Sequence, residues 1–182
     1  MSSLFTRIAL AASLAVATAG LANAATQGTL GATSTGSITI TATVPNRAQI
    51  TALTDVTFSN ADPNSAATNA QNVCVWSNTA TKGYSITATG SGTANAFTLA
   101  SGILAVVPYS VQWSQTSGQS SGTALTAGTA LTGQISTATK PTCNSGPATS
   151  ASLVVTIAAT DLQSMVAAAS YTGTLTLLIT PQ

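Results

Sequence analysis

Ile38, Ile40, Ala42 and Val44 share one phase of the segment that ends at Pro45, and Ser37, Thr39, Thr41 and Thr43 share the other. That strict period of two commits the segment to an extended strand. Successive side chains of a strand point to opposite faces, so one face is apolar and the other carries hydroxyls. The period recurs at Val56 and Phe58, from Val73 to Trp76, and through Tyr84-Ser-Ile86-Thr-Ala88 and Phe97-Thr-Leu99. It returns in Tyr109-Ser-Val111-Gln-Trp113, in Leu153-Val-Val155-Thr-Ile157 and from Tyr171 to Ile179. Turn-forming clusters separate these runs, among them Asp62-Pro63-Asn64-Ser65, Gly90-Ser91-Gly92 (a hairpin signal) and Asn144-Ser145-Gly146-Pro147. Short strands rich in β-branched residues and spaced by such turns predict an all-β sandwich. Asp161 to Ala168 is the one helix-like stretch, with Asp161 as its expected cap. Ser114 to Gly122, rich in Ser and Gly, is expected to be a mobile loop.

The chain begins differently. Arg7 precedes a run of small and apolar residues from Ile8 to Leu21 that closes on Ala22-Asn23-Ala24. This is the pattern of a secretory signal peptide cleaved after Ala24, and the run is too short and too rich in Ala, Ser and Thr to span a bilayer. The expected organisation is a signal peptide at 1–24, an N-terminal extension at 25–44 and a β-sandwich domain at 45–182, with no membrane span after the signal is removed.

Beyond the signal, Arg47, Lys82 and Lys140 balance Asp55, Asp62 and Asp161, and the chain has no Glu and no His. Nucleic acid is held by clustered cations that displace counterions, so three scattered ones exclude it as a partner, and an anionic membrane surface fails for the same reason. The serines lack a histidine base. Lys82 and Lys140 sit in turns, which rarely provide the burial that a lysine base requires, Asp62-Pro63 is turn chemistry, and no Walker-type phosphate loop is present. The chain is expected to be no enzyme and to need no cofactor.

Cys74 and Cys143 are the only cysteines. Export favours a disulfide between them, and two thiols without histidine fall short of a zinc site. The bridge would close a loop of about 70 residues, worth ~4 kcal/mol in the chain-entropy picture. Cys74 and Trp76 share a phase, which is expected to point into the sandwich. Trp113 shares its phase with Tyr109 and Val111 and is also read as core. A sugar-stacking role for Trp76 or Trp113 is the alternative, and would make the chain a secreted binding module such as a tip adhesin or lectin. Outward Thr39, Thr41 and Thr43 could order water as ice-binding surfaces do, although threonine is also an ordinary strand former.

Three segments carry a resemblance: Ser37-Ile-Thr-Ile-Thr-Ala-Thr-Val44-Pro45, Val107-Pro-Tyr-Ser-Val-Gln-Trp113, and Ala169-Ser-Tyr171-Thr-Gly173-Thr-Leu175-Thr-Leu177-Leu-Ile179. In this order they resemble subunits of the chaperone-usher pathway, and are similar to colonisation-factor-type pilins and spore coat protein U-like fimbrial subunits. Coat protein U-like chains usually have a cysteine after the first strand, where Asn46-Arg47-Ala48 stands here, so that family's disulfide layout does not transfer. The resemblance implies an immunoglobulin-like sandwich that lacks its final strand and exposes an acceptor groove beside Leu175, Leu177 and Ile179. A periplasmic chaperone would fill the groove first. At the outer-membrane usher, the N-terminal extension of an identical or related pilin would replace it, giving a fimbria at the cell surface. With only three residues after Ile179, no further C-terminal strand is expected. On even positions the extension alternates from Gly28 and Leu30 through Ile38 and Ile40 to Val44. Either Gln27 to Gly36 or Ser37 to Val44 could be the inserted strand, and the larger side chains of Ile38, Ile40, Ala42 and Val44 favour the second.

Overall fold

The computed structural model describes residues 24–182, so the signal sequence lies outside the described residues except for Ala24. The described residues divide between Val44 and Pro45 into two units.

In the first unit, Thr26 and Ser37 exchange two backbone hydrogen bonds of 2.9 Å in an isolated antiparallel bridge. Ile38 to Val44 forms no regular strand, contrary to the alternation reading. An extended segment needs a partner for its backbone groups before it counts as a strand, and none of the described residues supplies one here.

The second unit is an all-β sandwich. Its strands are β1 (Ala48–Thr51), β2 (Ala67–Ser77), β3 (Gly83–Gly90), β4 (Thr98–Leu99), β5 (Val107–Pro108), β6 (Ser110–Ser114), β7 (Thr123–Ala124), β8 (Ala130–Ile135), β9 (Ala151–Ile157) and β10 (Leu175–Pro181). One sheet has the order β1-β2-β9-β6-β7, the other β10-β3-β8, and β4 pairs with β5; all the pairings are antiparallel. Between the sheets pack Val73 and Val75 of β2, Leu153, Val155 and Ile157 of β9, Val111 and Trp113 of β6, and Tyr84, Ile86 and Ala88 of β3. The Trp113 indole N–H donates to the Tyr84 hydroxyl at 3.2 Å, and the two rings meet edge to face at 6.4 Å. Both rings therefore bury their area without stranding a polar atom. Burial pushes the Tyr84 phenol up to about 12, and the Trp113 hydrogen bond opposes this more weakly.

Several expectations need correction. Cys74 and Trp76 do not point into the sandwich. Val73 and Val75 take the inward phase of β2, so the alternate residues face outward, where Cys74 bonds Cys143 with the Cα atoms 5.9 Å apart. With Ala138 and half-buried Trp76 they form a second, small core. Serines close the seam beside it: Ser150 Oγ accepts from the Val75 N–H at 2.8 Å and donates to the Val75 carbonyl at 2.9 Å, and Ser136 Oγ donates to the same carbonyl.

The helix is α1 (Ala159–Gln163), starting at Ala158, whose carbonyl accepts from the Asp161 and Leu162 N–H groups. Asp161 lies inside the first turn and caps nothing; buried Leu162 anchors the helix in the core. Gly90-Ser91-Gly92 does not turn a hairpin, because β3 pairs with β10 and β8. Gly90 is required by close approach: a Cβ there would stand 2.1 Å from the Ala96 carbonyl oxygen. The Ser114 to Gly122 loop is pinned where mobility was expected. Gly118 N–H donates to Asn72 Oδ1 at 2.7 Å, Gln119 N–H to Ser152 Oγ at 3.0 Å and Gly122 N–H to Gln112 Oε1 at 2.9 Å.

Candidate functional site

β10 lies at the end of its sheet, paired to β3 along one edge and, among the described residues, to no strand along the other. Its side chains alternate: Leu175, Leu177 and Ile179 are half-buried on the inward phase, while Thr176, Leu178 and Thr180 are exposed. The terminal strand of a sheet presents unpaired N–H and C=O groups, and here the inward side chains beside that edge are only partly covered.

A groove of about 1160 Å³ opens along this edge. The segment Leu53 to Ala61 lines it, as do Met165 to Leu175 and Leu177. Leu153, Val155 and Ile157 of the core reach its lining, and Asp55 is the one charged side chain on it among the described residues. Leu175 and Leu177 are among the residues that line the groove. Ile179 shares their phase and, like them, packs against the core, but it does not line the groove.

The wall opposite β10 was only half legible. Val56 and Phe58 do turn their side chains toward the core, as their alternation predicts, yet their backbone joins no strand. Ala52 explains the departure: its φ of +63° is left-handed, so the chain leaves the ladder directly after β1. Gln71 on β2 then holds the wall. Thr54 N–H donates to Gln71 Oε1 at 2.9 Å, the Thr54 hydroxyl donates to the same oxygen at 3.2 Å, and Gln71 Nε2 donates to the Thr54 carbonyl at 3.1 Å. Nothing in the sequence marks Gln71, since a glutamine in a strand ordinarily reads as a solvated position.

In the N-terminal unit, Ile38, Ile40 and Val44 are 74%, 84% and 77% exposed, and Ala42 is exposed as well. Of the two tryptophans, Trp113 is 1% exposed and has no face to offer a ligand. Trp76 is half-buried against the disulfide. Lys140 is exposed and Lys82 sits at φ +55° in the turn between β2 and β3. Among the described residues no three His, Cys, Asp or Glu side chains come together as a metal site, and no helix is long and apolar enough to cross a membrane.

Chemically, such a site offers half-buried apolar side chains spaced two residues apart beside the N–H and C=O groups of a strand edge. Protein-family models and curated proteins give no match to this chain.

Proposed function

We propose that this chain is a structural subunit of a surface pilus, an immunoglobulin-like sandwich polymerised by donor-strand exchange. The groove beside β10 carries the reading, because a strand edge that is unpaired among the described residues and side chains of the core open together to one space. The exposed apolar phase of Ile38, Ile40, Ala42 and Val44 supplies an occupant with the spacing of a strand's inward side chains. A periplasmic chaperone holds the groove first, and the extension of the next subunit displaces it at the outer-membrane usher. A secreted binding module remains the second reading, and it would rest on Trp76, since Trp113 is buried.

Ile40→Asp tests the proposal, because it would place an unpaired charge against the apolar side chains of the groove. Fibre growth should stop while the variant subunit stays folded and still accepts a wild-type neighbour's extension. Thr39→Asp, on the other phase, should polymerise nearly normally. Equal effects of the two substitutions on assembly, followed by electron microscopy and gel filtration, would refute insertion through this phase.

A further inference from the structure

The segment that walls the groove opposite β10 is held in an unusual way. β2 pairs with β9 from Ala67 to Val73, but β1 covers the other edge of β2 only from Cys74 to Ser77. Among the described residues no strand pairs with the edge from Ala67 to Val73, and the chain after Ala52, which meets the Gln71 side chain at Thr54, does not supply one. Two features keep it from doing so. The left-handed backbone at Ala52 turns it off the ladder, and the Gln71 side chain reaches out and takes the Thr54 N–H, hydroxyl and carbonyl. From Ala52 to Ala61, these are the only hydrogen bonds that tie the segment to the rest of the sandwich among the described residues.

We infer that Gln71 is a positioning residue that sets the width of the groove. A primary amide has one acceptor and one donor side, as a peptide unit does, so Gln71 imitates a strand partner at the distance of a side chain. The wall consequently stands off β2 by that reach. Without the clamp only side-chain packing holds the segment, so Val56 and Phe58, which already pack against the core, draw its backbone further over the apolar lining at Leu153 and Val155, and the space for an inserted strand closes. This inference rests on the groove being an acceptor for the extension of a second copy.

The test uses a fluorescently labelled peptide of residues 37–44 added to the purified protein, with binding read by anisotropy and the Thr54 amide by hydrogen exchange. Gln71→Leu keeps the size of the side chain and removes its hydrogen bonds. It should leave the thermal midpoint nearly unchanged, speed exchange at Thr54 and weaken peptide binding about ten-fold or more, as expected for losing three partly exposed hydrogen bonds. Gln71→Glu keeps the acceptor for the Thr54 N–H and hydroxyl but sets a carboxylate oxygen against the Thr54 carbonyl in place of the donor, and should give an affinity between those of the wild type and Gln71→Leu. If Gln71→Leu fails to fold, Thr54→Pro breaks the clamp from its exposed partner by removing the N–H, with the same loss of affinity expected. Peptide binding that is unchanged in the clamp variants overturns the role of Gln71 and leaves the groove reading intact. A wild-type protein that binds no peptide overturns both.

Discussion

Neighbouring strands of the smaller sheet, β3 and β10, carry the same binary pattern and meet different fates. Tyr84, Ile86 and Ala88 of β3 are wholly buried, whereas Leu175, Leu177 and Ile179 of β10, on the equivalent inward phase, stay half-exposed. Hydrophobicity does not explain this, because Leu and Ile are at least as apolar as Tyr and Ala. Position does. β3 has a strand on each side and faces Trp113 across the sandwich, while β10 has β3 on one side and a groove on the other. Alternation specifies which side of a strand turns inward, and the neighbours decide whether anything waits there to cover it.

The sharpest way to break this comparison is to truncate one side chain in each half. Trp113→Ala removes the largest fully buried side chain, and should cost about 3 to 5 kcal/mol in urea unfolding. Leu177→Ala should cost roughly 1 kcal/mol, because much of that side chain is already in water. Equal losses would mean that the β10 side is as closed as the β3 side.

The disulfide comes next, since it belongs to neither half but to the outer face of β2. Cys143→Ser should lower stability by about 2 to 5 kcal/mol. Its location adds a finer expectation: proteolysis should open first between residues 136 and 150, while the near-ultraviolet circular dichroism of the Tyr84–Trp113 pair persists. A collapse of both signals together would make the outer core inseparable from the inner one. Thiol labelling of the unfolded, unreduced wild-type protein should find no free cysteine.

The last effect, confined to alkaline pH, is a loss of stability in the closed half. Tyr84 is held above its ordinary 10.0 in the folded protein, so its contribution is complete below pH 10. It then declines toward about 12, where the unfolded chain ionises and the folded one does not. The full loss is on the order of 3 kcal/mol, and Tyr84→Phe should flatten that slope. A wild-type protein whose stability is level across that window would mean that the Tyr84 phenol is hydrated.

Much of the sandwich was legible in the residue order. The strands around Val73, Tyr84, Val111 and Leu153 follow from period two and β-branched content, and the pairing of Cys74 with Cys143 follows from count and compartment. β8 escaped because Gly133, at φ +72°, and a bulge opposite Tyr84 and Ile86 break its alternation. β1 and β7 are too short to show a period. Residue order alone makes this a β-protein with inward and outward phases, because side-chain alternation is a property of any extended backbone. Tertiary structure alone decided that Cys74 faces outward, that Gln71 holds Thr54, and that β10 is left with an open edge. Each of these depends on which distant segment arrives beside a strand, and such meetings are set by packing across the whole domain.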